Sequence, residues 1–279
     1  MVDLPQHVAA IMVLNEVHFG DYAFAELFEF NWLRPYWLGY SLIWLVSQLT
    51  GLVWASKLVI AAAVIAFVLS LAWLRREVHA PPLVDWLLLA IPFGYAYEWG
   101  FLSFIVAAPL GPLFLVSYHR FLKGQTHWSR IVGWMFLLFF AHLLILGFFC
   151  VVACLMALRD RPGLPQLAGR ILPLLLSVPI GVGWVLLNME PRYIENLFDW
   201  GMGWHRLSQL LPDFFALEYT LAQSLVAVSL IALPFILGVR PRWSLHGIAP
   251  MVFYVLFMLL MPSQLIDNMG TYERFHLFG

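Results

Sequence analysis

The run from Ile131 to Leu158 contains no Asp, Glu, Lys or Arg, and it limits what this chain can fold into more than any other feature. It exceeds the roughly 17 to 25 residues that one helix needs to cross a bilayer. In hydrocarbon every backbone N–H and C=O must be paired inside the protein, which leaves helices or a closed barrel. A barrel requires segments of about ten residues alternating apolar with polar, and no part of this sequence alternates. The remainder agrees, with 62% hydrophobic residues, 11% charged residues and a mean hydropathy of +0.84. The expected fold class is all-α: a polytopic transmembrane helical bundle of about eight crossings, one pair of them a short hairpin, with interfacial helices on the outer side.

Hydropathy predicts spans at Leu52–Leu74, Pro82–Tyr97, Phe101–Phe121, Ile131–Leu158, Ile171–Met189, Leu221–Val239 and His246–Met261. Ten of the 15 Lys and Arg fall in four short connections: Arg75 and Arg76; Arg120, Lys123 and Arg130; Arg159, Arg161 and Arg170; Arg240 and Arg242. These connections are expected to be cytoplasmic. A single crossing by Ile131–Leu158 would reverse everything after it, so the parity of the loops requires a hairpin. Its arms, about 14 residues or 21 Å each, are shorter than a hydrocarbon core of about 30 Å. The turn near Ala141, His142 and Gly147 then stops at membrane depth, where irregular backbone survives only against protein or a wet cavity. Thirteen of the 16 acids lie in the predicted outer segments, either around a functional cavity or simply solvated.

The aromatic-rich segment 35–51 reads as an interfacial helix. The insert 190–223, with Trp200, Trp204, Phe214, Phe215 and Tyr219, reads as an interfacial cap. One transmembrane domain, 1–279, results: an outer loop with juxtamembrane helices (1–51), a helical bundle (52–189), an outer interfacial insert (190–220), two last spans (221–262) and an outer loop (263–279). Met1–Ala10 carries no basic region of a cleavable signal. Cys150 and Cys154, four apart in one apolar run, read as packing residues. A net charge of −1 and the lack of a basic tail exclude nucleic acid as a partner. The bilayer is the expected partner, and nothing in the sequence specifies a protein partner.

Without a phosphate loop, nucleophile elbow or paired-cysteine metal site, chemistry must come from charges scattered over the outer face. Asp3 and His7 stand four apart, a spacing that puts carboxylate and imidazole on one helical face as base and partner for proton abstraction. Asp3 with Gln6 also reads as a helix cap. Glu16, His18, Asp21, Glu26 and Glu29 follow in the same segment. Lys57, near the outer start of an apolar span, needs an anion or a route to the interface. Arg274 presents a planar fork suited to phosphate, or pairs with Glu273. His142, placed at the bottom of the outer cavity by the hairpin, is a candidate binding residue, or is satisfied by a neighbouring carbonyl.

The order of features resembles the glycosyltransferase C superfamily, in particular its bacterial inner-membrane members. Asp3-Leu-Pro-Gln-His7 resembles the family's acidic motif, Arg34-Pro-Tyr-Trp-Leu-Gly-Tyr40 through Thr50-Gly51 the juxtamembrane helix, and Ala55-Ser-Lys57 the start of the next span. Trp99-Gly-Phe-Leu-Ser-Phe104 resembles a recurrent turn, Phe139-Phe-Ala-His142 the short hairpin and Tyr272-Glu-Arg-Phe275 a late outer-loop arginine. The resemblance implies an inverting transfer of sugar from a polyprenyl-phosphate donor on the non-cytoplasmic side of a multi-pass protein. It implies Asp3 as the base on the acceptor and Lys57 with Arg274 around the donor phosphate; the residues themselves add His7 to the catalytic candidates and His142 to the phosphate-binding ones. It names no cofactor beyond that donor and leaves a divalent metal undetermined. The family has a span before the acidic motif and further spans after the late arginine, so the chain corresponds to an internal portion of that pattern. The rival readings are a lipid or polysaccharide flippase, expected to show related halves and mid-membrane charges, and a non-catalytic subunit of an envelope assembly complex.

Overall fold

The computed structural model describes residues 2–19, 35–89, 91–188, 198–199, 206, 221–240, 245–262, 264–265, 268–269 and 273–278. Among them the chain is helical: α1 (Leu4–Phe19), α2 (Trp37–Thr50), α3 (Leu52–Glu77), α4 (Tyr95–Trp99), α5 (Leu102–Ala107), α6 (Leu110–Leu122), α7 (Trp128–Ala141), α8 (Leu143–Ala157), α9 (Leu164–Leu175), α10 (Ser177–Asn188), α11 (Leu221–Ile236) and α12 (Leu245–Leu260). A 3-10 helix covers Glu273–Phe278. Extended pairing among the described residues is confined to three two-residue antiparallel strands, β1 (Phe198–Asp199), β2 (Gln264–Leu265) and β3 (Asn268–Met269). Among the described residues three stretches are long and apolar enough to cross a membrane, Leu52–Glu77, Leu102–Leu122 and Leu164–Trp184, and shorter apolar helices accompany them.

α3 forms without interruption because no Pro or Gly breaks its 26 residues and two arginines lie in its last turn, where the helix dipole favours cations. One face of it is buried through Ala55, Val59, Ile60, Ala63 and Phe67, while Leu58, Ile65 and Leu69 on the other face are exposed. Apolar residues stay outside along α9 to α11 as well, at Leu172, Val182, Leu187, Leu225 and Ile236. This exposure suits a chain whose surroundings are apolar.

The run from Ile131 to Leu158 doubles back. His142 is the single non-helical residue between α7 and α8, with φ −169° and ψ 114°. The Cys150 thiol donates to Met135 Sδ at 3.5 Å, a contact that a straight helix, rising about 1.5 Å per residue, cannot make across that interval. The turn is closed by main-chain bonds, the His142 N–H donating to Leu138 O at 2.7 Å and the Leu146 N–H to His142 O at 3.0 Å. Cys150 and Cys154 remain free thiols in the packed hairpin. Gly111 of α6 permits the close approach of α8, since a Cβ there would stand 2.0 Å from the Phe149 ring.

The helix expected over Pro82–Tyr97 does not form. Two 3-10 pieces, Pro82–Leu89 and Ile91–Phe93, lead into the short α4. Pro92 lacks an amide donor and its ring would strike the carbonyl of Leu88 in an α-helix, so hydropathy alone misreads a segment that proline has broken. The insert 190–220 lies outside the described residues apart from Phe198, Asp199 and Arg206, as do Asp21, Glu26 and Glu29. Arg206 is buried, and its Nη1 donates to Met258 O at 3.0 Å and to Met261 O, capping the carbonyl end of α12.

Helix ends gather three of the four basic connections at one pole. Arg120 Nη2 lies 2.9 Å from Glu77, Arg75 Nε lies 2.5 Å from Asp85, and Arg170 Nη1 donates to Ala157 O at 2.9 Å. The opposite pole holds the start of α1, the α4–α5 turn, the tip of the α7–α8 hairpin and the 3-10 helix Glu273–Phe278.

Candidate functional site

At that second pole Gly100 reverses the chain between α4 and α5 with φ 80°, a conformation that costs a residue with a Cβ. The reversal aims two carbonyls at the incoming chain, and the Val2 and Asp3 N–H groups donate to Glu98 O and Trp99 O at 3.2 and 2.6 Å. Asp3 is thereby fixed just ahead of α1. The cap it was expected to form is made by main-chain atoms, the Gln6 and His7 N–H groups donating to the Asp3 carbonyl at 3.1 and 3.2 Å. Among the described residues its carboxylate makes no hydrogen bond, and it stays partly exposed.

One turn further on, His7 meets α2. His7 Nδ1 and Tyr40 Oη share a hydrogen bond of 2.6 Å, its direction following the tautomer, and the rings meet edge to face at 5.6 Å. Burial holds the His7 imidazole below its ordinary value of 6.5; the Asp3 charge pulls it up and the Arg274 charge pushes it down. Burial pushes the Tyr40 phenol up, so it keeps its proton. The pair therefore presents a neutral imidazole oriented by a phenol, with a carboxylate near enough to steady a proton on it.

Tyr36, immediately before α2, has φ 82°, a left-handed conformation unusual for a large aromatic residue. Its ring stands edge-on to His142 at 4.6 Å, and Phe104 closes the other side at 5.1 Å. His142 is fully buried, and neither ring nitrogen has a hydrogen-bond partner among the described residues. A buried polar group left so costs about 1 to 3 kcal/mol, and strain concentrated at neighbouring residues is a mark of sites rather than of plain packing.

The guanidinium of Arg274 lies 3.7 Å above the Phe101 ring, and its charge disfavours a proton on His7. Its placement comes from its neighbours. Phe275 is fully buried and meets Phe104, Phe148 and Phe257 at 5.2, 5.0 and 4.7 Å, while Phe278 meets Phe149 at 4.8 Å.

Asp3, His7, His142 and Arg274 thus share one pole, although the sequence separates them by nearly its whole length. Lys57 takes no part in the contacts just described; it is exposed on α3 with its ammonium 5.1 Å from the Trp54 ring. Sequence reasoning missed Tyr36 and Tyr40 as site residues; their four-residue spacing was visible, but it read as part of a headgroup-layer aromatic stretch. Among the described residues no three His, Cys, Asp or Glu side chains gather as a metal site would need. Compared with models of known families, with curated proteins and with solved structures, the chain matches none.

Proposed function

We propose that this protein is a multi-pass glycosyltransferase of a bacterial inner membrane, moving a sugar from a polyprenyl-phosphate donor to an acceptor on the non-cytoplasmic side. The observation that carries the reading is the convergence of a carboxylate, a hydrogen-bonded His–Tyr pair and an aromatic-held arginine at the pole opposite the basic connections. That is the equipment of an inverting transfer. Asp3, with His7 beside it, takes the proton of the acceptor hydroxyl as its oxygen bonds to the anomeric carbon. The bond from that carbon to the phosphate oxygen breaks, and Arg274 with His142 stabilises the departing polyprenyl phosphate. The exposed apolar faces of the helices suit a prenyl chain.

The test uses the purified protein in vesicles with a radiolabelled polyprenyl-phosphate hexose. Asp3→Asn is expected to keep donor binding and to lose transfer by about 10²- to 10⁴-fold, whereas Arg274→Gln loses donor binding. Donor moved between leaflets with no sugar transferred or released would sink the reading and favour a flippase.

A further inference from the structure

The basic pole holds an open pocket of 610 Å³ lined by Trp73, Arg76, Glu77, His79, Arg120 and Lys123, among others. Its charge does not cancel internally. Glu77 is already matched by Arg120 at 2.9 Å and by His119 at 3.4 Å. Arg76 and Lys123 are exposed and have no carboxylate partner among the described residues. Arg120 is itself held in place, its guanidinium 5.6 Å from the Trp73 ring. Two uncompensated cations therefore face a cavity large enough for a small polar ligand, within the usual range of about 300 to 1,000 Å³.

Where the pocket lies decides which anion fits. Leu58, Ile65, Leu69 and Trp73 follow one another along a single face of α3, exposed by 49, 59, 64 and 46%. Steps of four and seven residues keep them in line. The apolar stripe ends at Trp73, a residue suited to the headgroup layer, and Arg76 follows within one turn. A hydrocarbon chain lying along the stripe would bring the phosphate at its end level with the pocket.

We infer that this pocket binds the headgroup of an anionic phospholipid, its phosphate between Arg76 and Lys123 and its acyl chain on the exposed face of α3. The inference rests on the chain lying in a bilayer and is independent of the transfer chemistry at the opposite pole.

The test follows the thermal midpoint of the full chain in neutral detergent while phosphatidylglycerol, phosphatidylcholine or inorganic phosphate is titrated in. Phosphatidylglycerol is expected to raise the midpoint saturably and the other two to leave it in place. Arg76→Gln and Lys123→Gln, both at exposed positions, should each weaken the effect about fivefold. Arg130→Gln, an exposed cation on the same pole outside the pocket, should not. Equal stabilisation by phosphatidylcholine would overturn the anionic preference, and an equal effect of inorganic phosphate would overturn the lipid as ligand. An equal loss with Arg130→Gln would replace the pocket by diffuse surface charge.

Discussion

At His7 the two opposed charges of the site act on one proton. Burial and Arg274 disfavour the imidazolium while Asp3 favours it, so substitutions of the two charged residues should move its titration in opposite directions. Followed by NMR of the labelled imidazole, His7 should titrate below 6.5, with Arg274→Gln raising the midpoint and Asp3→Asn lowering it. Shifts of the same sign would dissolve the cluster. Because the folded state binds this proton less readily than the unfolded chain, the stabilising contribution of neutral His7 is complete above pH 6.5 and is lost as pH falls through the folded midpoint. Replacing Tyr40 by Phe removes the partner of Nδ1 and should cost about 1 kcal/mol in thermal stability. Residue types made Asp3, His7, His142 and Arg274 legible as candidates, since ionisable or polar groups in so apolar a chain need reasons. Nothing in the sequence announces a left-handed Tyr36, because a strained backbone is imposed by surroundings that come from elsewhere in the chain.

Among the elements, the hairpin was readable from charge bookkeeping, because the parity of the loops required the run from Ile131 to Leu158 to turn. The broken segment at Pro82–Tyr97 was not read correctly, although its prolines are visible, since a hydropathy window does not register a missing N–H. Chemistry can check the fold-back directly. Met135→Cys should be joined to Cys150 by a short bis-thiol crosslinker that spans about 8 Å, the separation of packed helices, and be detected by mass spectrometry as a linked pair of proteolytic peptides; a failure to link would mean that the arms do not lie side by side. The crossing of α6 and α8 makes a second prediction. With a Cβ at position 111 meeting the Phe149 ring at 2.0 Å, Gly111→Ala should destabilise by about 1 to 3 kcal/mol, read as a lowered thermal midpoint.

Among the described residues the two poles differ in chemistry, ion-paired and basic at one and rich in ring contacts around Arg274 at the other. If the proposed orientation holds, cysteines introduced at Gln125 and Arg161 in a Cys150→Ser/Cys154→Ser background should react with an impermeant maleimide only from the cytoplasmic side, and one at Val2 only from the opposite side. Reaction of position 161 from the same side as position 2 would remove both the hairpin crossing and the outer site. The single-residue joint at His142 has a consequence for how such a molecule can vary. Each added residue advances an α-helix by about 100°, so one insertion at the joint would turn every inward side chain of α8 out of phase with α7. Leu146, Phe149 and Ala153, all buried, would leave the core together. The joint works like a keyed coupling, fixed in the number of its residues.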